Sequence, residues 1–332
     1  METLELHRDL SLKEIKSVVS GEMETFEKAF SNSMQSRVFL INKVAGYITR
    51  QRSKKIRPLL VILAAKLCGE PTQNTYQSAV LVELIHTATL IHDDVVDGAE
   101  LRRGIPSINA VWKNKISILM GDYLFSKALI NMIKLRDFEA LELLSDTAER
   151  LSSGEILQIE KARSDGMDEA VYYEMIRDKT ASLISAACRL GAITVSDDTE
   201  YAEALAEYGE NLGIAFQIKD DLFEFVGKKG IIGKPVGRDV KENMLTLPLL
   251  HTVKTLPNKE SRKILKTMKR GAKSKQVKEI VKKVASNGGV SYAQKKLRDY
   301  TEDAITALDL FPESDYKQAL IDFATFNMTR QK

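Results

Sequence analysis

The chain has 332 residues, a net charge of only +3, and 44% hydrophobic and 29% charged residues, a mixture that can bury a sizeable core. Seven prolines and eighteen glycines are too few for a turn-rich β architecture. The two cysteines, Cys68 and Cys188, lie in apolar surroundings without metal-ligand spacing, which excludes a disulfide framework and indicates free core thiols of a reducing compartment.

The N-terminal residues METLELHRDLSLKEIK are charged and lack the apolar core of a signal peptide. No run of about 18 uncharged apolar residues predicts a transmembrane segment. We therefore expect a cytoplasmic protein.

Apolar residues recur at i, i+3 and i+4 almost throughout, which predicts an all-α chain. The predicted helices, in chain order, cover 11–30, 34–50, 57–68, 76–97, 115–134, 138–162, 168–191, 199–225, 240–254, 259–270, 273–286, 290–308 and 314–328. GIPSIN (104–109) and GKKGIIGKPVG (227–237) predict exposed loops. Helix 76–97 is apolar all round, which predicts a central buried helix. Because no low-complexity linker divides the chain, we predict a single helical domain over residues 1–332.

The positive charge is concentrated in one segment. Residues 259–283 contain eleven Lys or Arg and two Glu, a local net charge of +9, while 38 basic and 44 acidic residues leave the remainder at −6. Such a segment is typical of a solvated helical hairpin, or of a surface that binds an anionic partner. It lacks the interleaved aromatics of a single-strand nucleic-acid surface, so we predict no nucleic-acid partner.

Two acidic clusters each end a long apolar helix. Asp93 and Asp97, with Asp94 between them, are spaced i, i+4 and so share a helix face about 6 Å apart. DDLFE (220–224) repeats the arrangement after LGIAFQIK. Like charges at a helix C-terminus are unfavourable and require a cation. Carboxylates without neighbouring thiols or several histidines suit Mg²⁺, which keeps some coordination sites for substrate phosphates.

Basic residues that suit phosphate recognition surround the predicted helix ends. Singly, each is typical of a surface ion pair. Together with the acidic clusters they indicate two diphosphate sites, one bridged by metal and one held by Lys and Arg alone. The residues are Lys54, Lys55, Arg57, Arg102, Arg103, Lys179 and Lys234.

Together with the sequence segments around them, these residues resemble the trans-prenyl (polyprenyl) diphosphate synthase family, in register from about residue 40 to 250. The long-chain type that makes hexaprenyl or octaprenyl diphosphate is the best match. The matching words are SKKIRP (53–58), ELIHTATLIHDDVVDGAELRRGIPS (83–107), GDYLFSKAL (121–129), GEILQIE (154–160), KTASLI (179–184), FQIKDDLFE (216–224) and GKPVGRDVKENMLTLPLL (233–250). The resemblance implies one large helical bundle around a central active-site cavity, of the isoprenoid synthase type, and a homodimer.

The resemblance also implies a role for each matching residue. Two aspartate-rich motifs would hold about three Mg²⁺ ions on the allylic diphosphate: Asp93, Asp94 and Asp97 in the first, Asp220, Asp221 and Glu224 in the second. That diphosphate would also contact Arg102, Lys179 and Lys234. Isopentenyl diphosphate would be held by Lys54, Arg57, His86 and Arg103, with Thr180 and Gln217 facing the nascent cation. His86 lies two helical turns before Asp93 on the same face, although a core histidine would fit there equally.

Three positions depart from the family pattern. Ser53 stands where the family has Gly, and Glu224 replaces the last Asp of the second motif. Asn243 and Met244 replace a Gly-Lys pair, so one diphosphate-binding lysine is missing, and Lys241 is a candidate substitute.

The implied reaction is magnesium-dependent head-to-tail condensation of isopentenyl diphosphate with an allylic diphosphate, a farnesyl or geranylgeranyl starter. Ionisation, condensation and proton loss need electrostatic stabilisation and no protein nucleophile. A terpene cyclase is disfavoured by the DDLFE motif, and a metal-dependent phosphohydrolase by the shortage of histidines. A short-chain synthase of fifteen to twenty carbons and a non-catalytic subunit of a heteromeric synthase remain alternatives.

Product length depends, by the same resemblance, on the residues just before the first motif. In short-chain enzymes of the family, bulky aromatic residues at the fifth and fourth positions before the motif block further growth of the product. Here those positions hold Ala88 and Thr89. Val82 is next along the face, about 16 Å from Asp93. We predict products of thirty to fifty carbons, with forty the single best value, unless Phe125 on another helix closes the tunnel. Transient membrane contact for product release is left open.

Overall fold

The computed structural model describes residues 11–51, 53–102, 104–163, 167–226 and 237–330. Over these residues the chain is almost entirely helical, with one two-stranded hairpin. The N-terminal elements are α1 (Leu12–Ser17), α2 (Ser20–Ser33), α3 (Phe39–Arg50), α4 (Ile56–Cys68), α5 (Gln73–Val96), β1 (Leu101–Arg102), β2 (Ile105–Pro106), α6 (Ile108–Leu135) and α7 (Phe138–Arg163). The C-terminal elements are α8 (Glu169–Ile176), a π-helical turn (Arg177–Ala181), α9 (Ser182–Ile193), α10 (Thr199–Val226), α11 (Arg238–Lys241), α12 (Leu247–Thr255), α13 (Asn258–Lys269), α14 (Ser274–Ser286), α15 (Gly289–Thr306) and α16 (Asp315–Thr329). The all-α prediction is confirmed.

The structure differs from the predicted helices where the chain bends. The predicted helix 11–30 is two helices, because the chain leaves helical geometry at Val19 (φ −130°, ψ 36°), whose side chain is completely buried. The loop predicted over 104–109 ends early, since Ser107 caps α6 by accepting a hydrogen bond from the Ala110 N–H. The predicted helix 240–254 is α11 and α12, separated around Asn243, whose φ of 60° no α-helix contains.

Helix α5 is the buried centre of the bundle, as predicted. Its residues from Ser78 to Ile85 are buried, and it packs against α2, α4, α6 and α9. Helix α10 connects this core to a second one: Leu205 and Leu212 belong to the first, whereas Ile218 and Leu222 pack with α8 and α12–α15. The first acidic motif therefore ends the helix at the centre of one core, and the second ends a helix shared by both cores.

Two glycines allow helices around the π-helical turn to approach closely. A Cβ atom on Gly154 of α7 would lie 2.6 Å from the Lys179 backbone nitrogen, and one on Gly213 of α10 would lie 2.5 Å from the Ala181 Cα. These contacts hold Lys179 and Thr180 between α7 and α10. Larger side chains would push the helices apart.

Helix α6 is the one helix in the described part of the chain that is long and apolar enough to cross a membrane by length and composition alone. One third of its most apolar window is buried in the protein. Much of its apolar surface is therefore exposed in the isolated chain.

Candidate active site

The first acidic motif lies at the C-terminal end of α5 and is partly neutralised by the hairpin that follows. Asp94 is buried, and the Arg102 guanidinium binds it with both arms, Nε to Oδ2 and Nη2 to Oδ1, each at 2.7 Å. Pairing of β1 with β2 turns Arg102 back onto the motif. The sequence assigns Arg102 to the allylic diphosphate, and in this structure its guanidinium pairs with Asp94. Arg103, predicted for the second diphosphate, lies outside the described residues.

Asp93 faces a carboxylate that sequence reasoning missed. Burial, and then the neighbouring Glu155 of α7, raise the pKa of Asp93 to about 6, against the opposing charge of Lys179. The Lys179 ammonium bonds Glu155 Oε2 at 2.5 Å and Gln158 Oε1 at 3.0 Å. Lys179 is thus brought to the first motif, as its predicted role requires. Only the word GEILQIE (154–160) in the sequence signalled α7 at this site.

The second acidic motif is organised by a buried chain of hydrogen bonds. Asp221 accepts one from the Tyr172 hydroxyl at 2.7 Å and one from Gln217 Nε2 at 2.9 Å. Gln217 Oε1 in turn accepts from the Thr180 hydroxyl at 2.9 Å. Burial raises the pKa of Asp221 to about 7, although both hydrogen bonds lower it. Thr180 and Gln217, predicted to face the nascent cation, therefore stand together beside Asp221.

The C-terminus of the described chain reaches the other aspartate of the second motif. The Arg330 guanidinium, almost fully buried, bonds Asp220 Oδ1 at 2.5 Å and lies over the rings of Phe216 and Phe223. The Lys219 ammonium donates to the Met328 carbonyl at 2.7 Å. Sequence reasoning missed Arg330, because 110 residues separate it from Asp220 and no local pattern links them.

Glu224 binds the backbone at Gly237 and Arg238, where the chain comes back to the second acidic motif. Its Oε2 accepts hydrogen bonds from the backbone N–H groups of Gly237 and Arg238, at 3.1 and 2.8 Å. Glutamate has one methylene group more than the aspartate of the family pattern, and this extra length lets its carboxylate reach the two N–H groups. Lys234, predicted for the allylic diphosphate, lies in the preceding segment, outside the described residues.

Arg238 and Asp239 interact electrostatically with residues of both acidic motifs. The pKa of Arg238 is raised chiefly by its hydrogen bond to Glu242, with a smaller contribution from Asp97 of the first motif. Burial, followed by the charges of Asp221 and Glu224, raises the pKa of Asp239 to about 8. Both motifs therefore lie at one end of the bundle. Arg238 and Asp239, which sequence reasoning passed over, lie between them.

The cations predicted for the second diphosphate lie where α4 begins. Arg57 Nη1 is 3.0 Å from His86 Nε2, so these two predicted residues are in contact, and Lys54 is exposed nearby along the chain. Lys55 instead makes a buried ion pair with Glu83 at 2.8 Å and lies over the Phe30 ring. This pair fixes the start of α4 against α5.

The residues predicted to set product length belong to the buried face of α5. Val82 and Ala88 are completely buried in the first core. Thr89 is half-buried, and its hydroxyl donates to the His86 carbonyl at 3.0 Å. Phe125 of α6 stacks on His92, with ring centroids 6.0 Å apart.

The Gly-Lys replacement has a structural explanation at one of its two positions. Asn243 adopts the left-handed conformation (φ 60°) that glycine favours, and its amide donates to the Ala162 carbonyl at 2.6 Å. Asparagine tolerates this conformation better than most residues. Met244 lines a cavity together with Lys161 and Gln158, while Lys241 is exposed on α11. Lys161 therefore shares a cavity with Met244, at the position of the missing lysine.

The acidic residues fit a divalent ion shared with substrate. Within the described ranges, no three Asp, Glu, His or Cys side chains form a ready-made metal cage. Mg²⁺ needs only one or two carboxylates when substrate phosphates complete its coordination. The raised pKa values of Asp93 and Asp221 show that burial and neighbouring carboxylates disfavour their charged forms, which a divalent ion would stabilise. Oxygen ligands alone suit this ion.

Solved structures with the same fold define the class of protein. A polyprenyl synthase from Caulobacter crescentus, crystallised with calcium and isoprenyl diphosphate, matches with a TM-score of 0.91 at 33% identity, covering 98% of this chain and all of that one. The helical bundle with paired acidic motifs is thus an isoprenoid synthase fold.

The polyprenyl synthetase family model matches residues 38–284, and the chain belongs to that family. It is a trans-prenyl diphosphate synthase, a prenyltransferase acting on isopentenyl diphosphate and an allylic diphosphate. The chain is 33% identical to the octaprenyl diphosphate synthase of Haemophilus influenzae, over 97% of this chain and 98% of the relative. It is also 35% identical to a short chain isoprenyl diphosphate synthase of Methanothermobacter thermautotrophicus, over 87% of this chain and 90% of the relative.

Proposed function

We propose that this enzyme makes a long all-trans polyprenyl diphosphate of thirty to fifty carbons, with forty the best single value, from a farnesyl or geranylgeranyl starter. The observation that carries the proposal is the part of α5 before Asp93, where Thr89 and Val82 on the Asp93 face, and Ala88 beside that face, are all small or aliphatic. An aromatic ring there would stop a growing chain early. The similarity to an octaprenyl diphosphate synthase supports the long product.

The reaction proceeds at the end of the bundle where both acidic motifs lie. Mg²⁺, when bound by the two motifs, would supply positive charge to the departing diphosphate. Arg102 and Lys179, held there by Asp94 and Glu155, would donate to the same diphosphate. Arg57 and His86 would hold isopentenyl diphosphate. The proton lost after condensation would go to the released diphosphate, which then leaves with it.

Product length is tested directly. Purified enzyme is incubated with Mg²⁺, farnesyl diphosphate and labelled isopentenyl diphosphate, and the dephosphorylated products are separated by chromatography. Products of thirty to fifty carbons are expected, and Ala88→Phe should shorten them while leaving the Mg²⁺ requirement unchanged. Phe125→Ala is the matched variant on the facing helix, and it should leave the length unchanged. A wild-type product of fifteen or twenty carbons would favour the short-chain alternative.

We also propose that the active unit is a homodimer joined through α6. Its outer face exposes Leu129, Ile130 and Ile133, the last with 70% of its surface accessible, and α3 adds the exposed Phe39 beside it. An apolar face of this kind marks an interaction site in a soluble protein. Light scattering should give a dimer for wild type and a monomer for Ile133→Glu. Leu310→Glu, at an exposed leucine beyond α15, should remain dimeric.

A further inference from the structure

The segment in which the positive charge of the sequence is concentrated contributes none of the residues assigned to the reaction. We call residues 259–283, which comprise nearly all of α13 and the first ten residues of α14, the basic hairpin. Ten of its eleven Lys and Arg side chains are exposed. Its apolar side chains point inward instead, with Ile264 and Met268 of α13, and Val277 and Ile280 of α14, buried. The two helices therefore present a cationic outer face on an apolar base.

Few acidic groups offset this charge. The hairpin contains only two acidic residues, and one of them, Glu260, is paired with Lys283 across the two helices. The hairpin carries +9 while the rest of the chain carries −6. Like charges at this density repel one another across a Debye length of about 8 Å. An anionic surface would offset the repulsion among the lysine and arginine side chains and would attract all of them together.

The basic hairpin lies beside the active site. Helix α14 packs against α10 and α11. A Cβ atom on Gly237 would meet the Val277 side chain at 2.4 Å and that of Val281 at 3.1 Å. Gly237 itself donates its N–H to Glu224 of the second motif. A surface bound to the outer face of the hairpin would therefore lie about one helix diameter, roughly 10–12 Å, from this end of the site.

We propose that the basic hairpin docks on the headgroups of an anionic phospholipid bilayer and so places the enzyme where its product can leave. This inference rests on the proposed function, because a product of thirty or more carbons is insoluble in water. The hairpin contains no Phe, Tyr or Trp on which bases could stack, which favours lipid over single-stranded nucleic acid. None of its apolar residues is exposed, so the contact is electrostatic adsorption without insertion.

Sedimentation with vesicles tests the proposal without substrate. The enzyme should bind vesicles of 30% phosphatidylglycerol in phosphatidylcholine at 0.1 M salt, and should be released at 0.5 M. It should not bind phosphatidylcholine alone. A quadruple variant, Lys263→Gln with Lys266→Gln, Lys275→Gln and Lys278→Gln, should bind at least about a hundredfold more weakly, since each cation near such a surface contributes about fivefold. All four side chains are exposed, so the thermal midpoint should not change.

The control variant removes four exposed lysines elsewhere: Lys13→Gln, Lys28→Gln, Lys43→Gln and Lys115→Gln. It should bind like wild type, although its net charge equals that of the hairpin variant. Equal losses in both variants, or full binding by the hairpin variant, would overturn the proposal. So would tighter binding to a single-stranded oligonucleotide than to the vesicles at the same salt. Because no product is formed in this assay, its failure would leave the proposed chain length intact, and the converse also holds.

Discussion

Removing one hydroxyl from the buried network tests whether it holds the second acidic motif. Tyr172→Phe keeps the ring but deletes the donor to Asp221, whose carboxylate is 5% exposed and cannot recruit bulk water in its place. A hydrogen bond to a charged group contributes about 1.5–3 kcal/mol. Gln217 retains its own bond to the carboxylate, and no cavity forms beyond one oxygen atom. The free energy of unfolding should therefore fall by about 1.5–3 kcal/mol.

Equilibrium unfolding in urea, with metal chelated and the buffer at pH 8.5, measures this loss. At that pH Asp221 is largely ionised, since its pKa is about 7, so the full charge-assisted bond is present. Tyr173→Phe is the matched control: it removes a neighbouring buried hydroxyl that lies beside the Tyr300 ring and bonds no carboxylate. It should cost less than about 1 kcal/mol. Equal losses in the two variants, or no loss in Tyr172→Phe, would refute the reasoning.

Three further predictions concern the site and its supports, and a fourth provides the control for the last of them. Asp93→Ala should lower kcat by orders of magnitude while the thermal midpoint holds or rises, because a partly buried carboxylate close to Glu155 is removed; near-normal turnover would contradict its role. Arg57→Ala should raise the KM for isopentenyl diphosphate about tenfold, because a charge-assisted hydrogen bond is lost. The KM for the allylic substrate should rise less. Steady-state kinetics with each substrate varied in turn measures both constants. Gly154→Ala should destabilise the protein by about 1–3 kcal/mol in urea unfolding, because its Cβ would clash with the Lys179 backbone. Gly46→Ala, in the open interior of α3, should instead stabilise it by about 0.5–1 kcal/mol.

Local sequence pattern was sufficient for the elements that carry the acidic motifs. The continuous apolar character of 76–97 predicted the buried α5, which ends at the first motif. Periodicity could not show that the predicted helix 240–254 breaks, because Asn243 enters the left-handed region only to bond Ala162 of another helix.

Partners distant along the chain could not be predicted. Tyr172 is 49 residues from Asp221, and Arg330 is 110 from Asp220. Neither belongs to a local motif, and only tertiary packing brings it to the acidic residues. Glu155 is similar: its place opposite Asp93 depends on how closely α7 approaches the π-helical turn.

That π-helical turn also matters for comparing family members. Its defining bond, from the Ser182 N–H to the Arg177 carbonyl, spans five residues where an α-helix spans four, so the turn contains one residue more than a regular helix. Deleting one residue between 177 and 181 would leave α8 and α9 in register with their neighbours, yet would withdraw Lys179 or Thr180 from the site. A single-residue gap at this point in a relative's alignment would therefore mark a change of chemistry, even where every flanking residue matches.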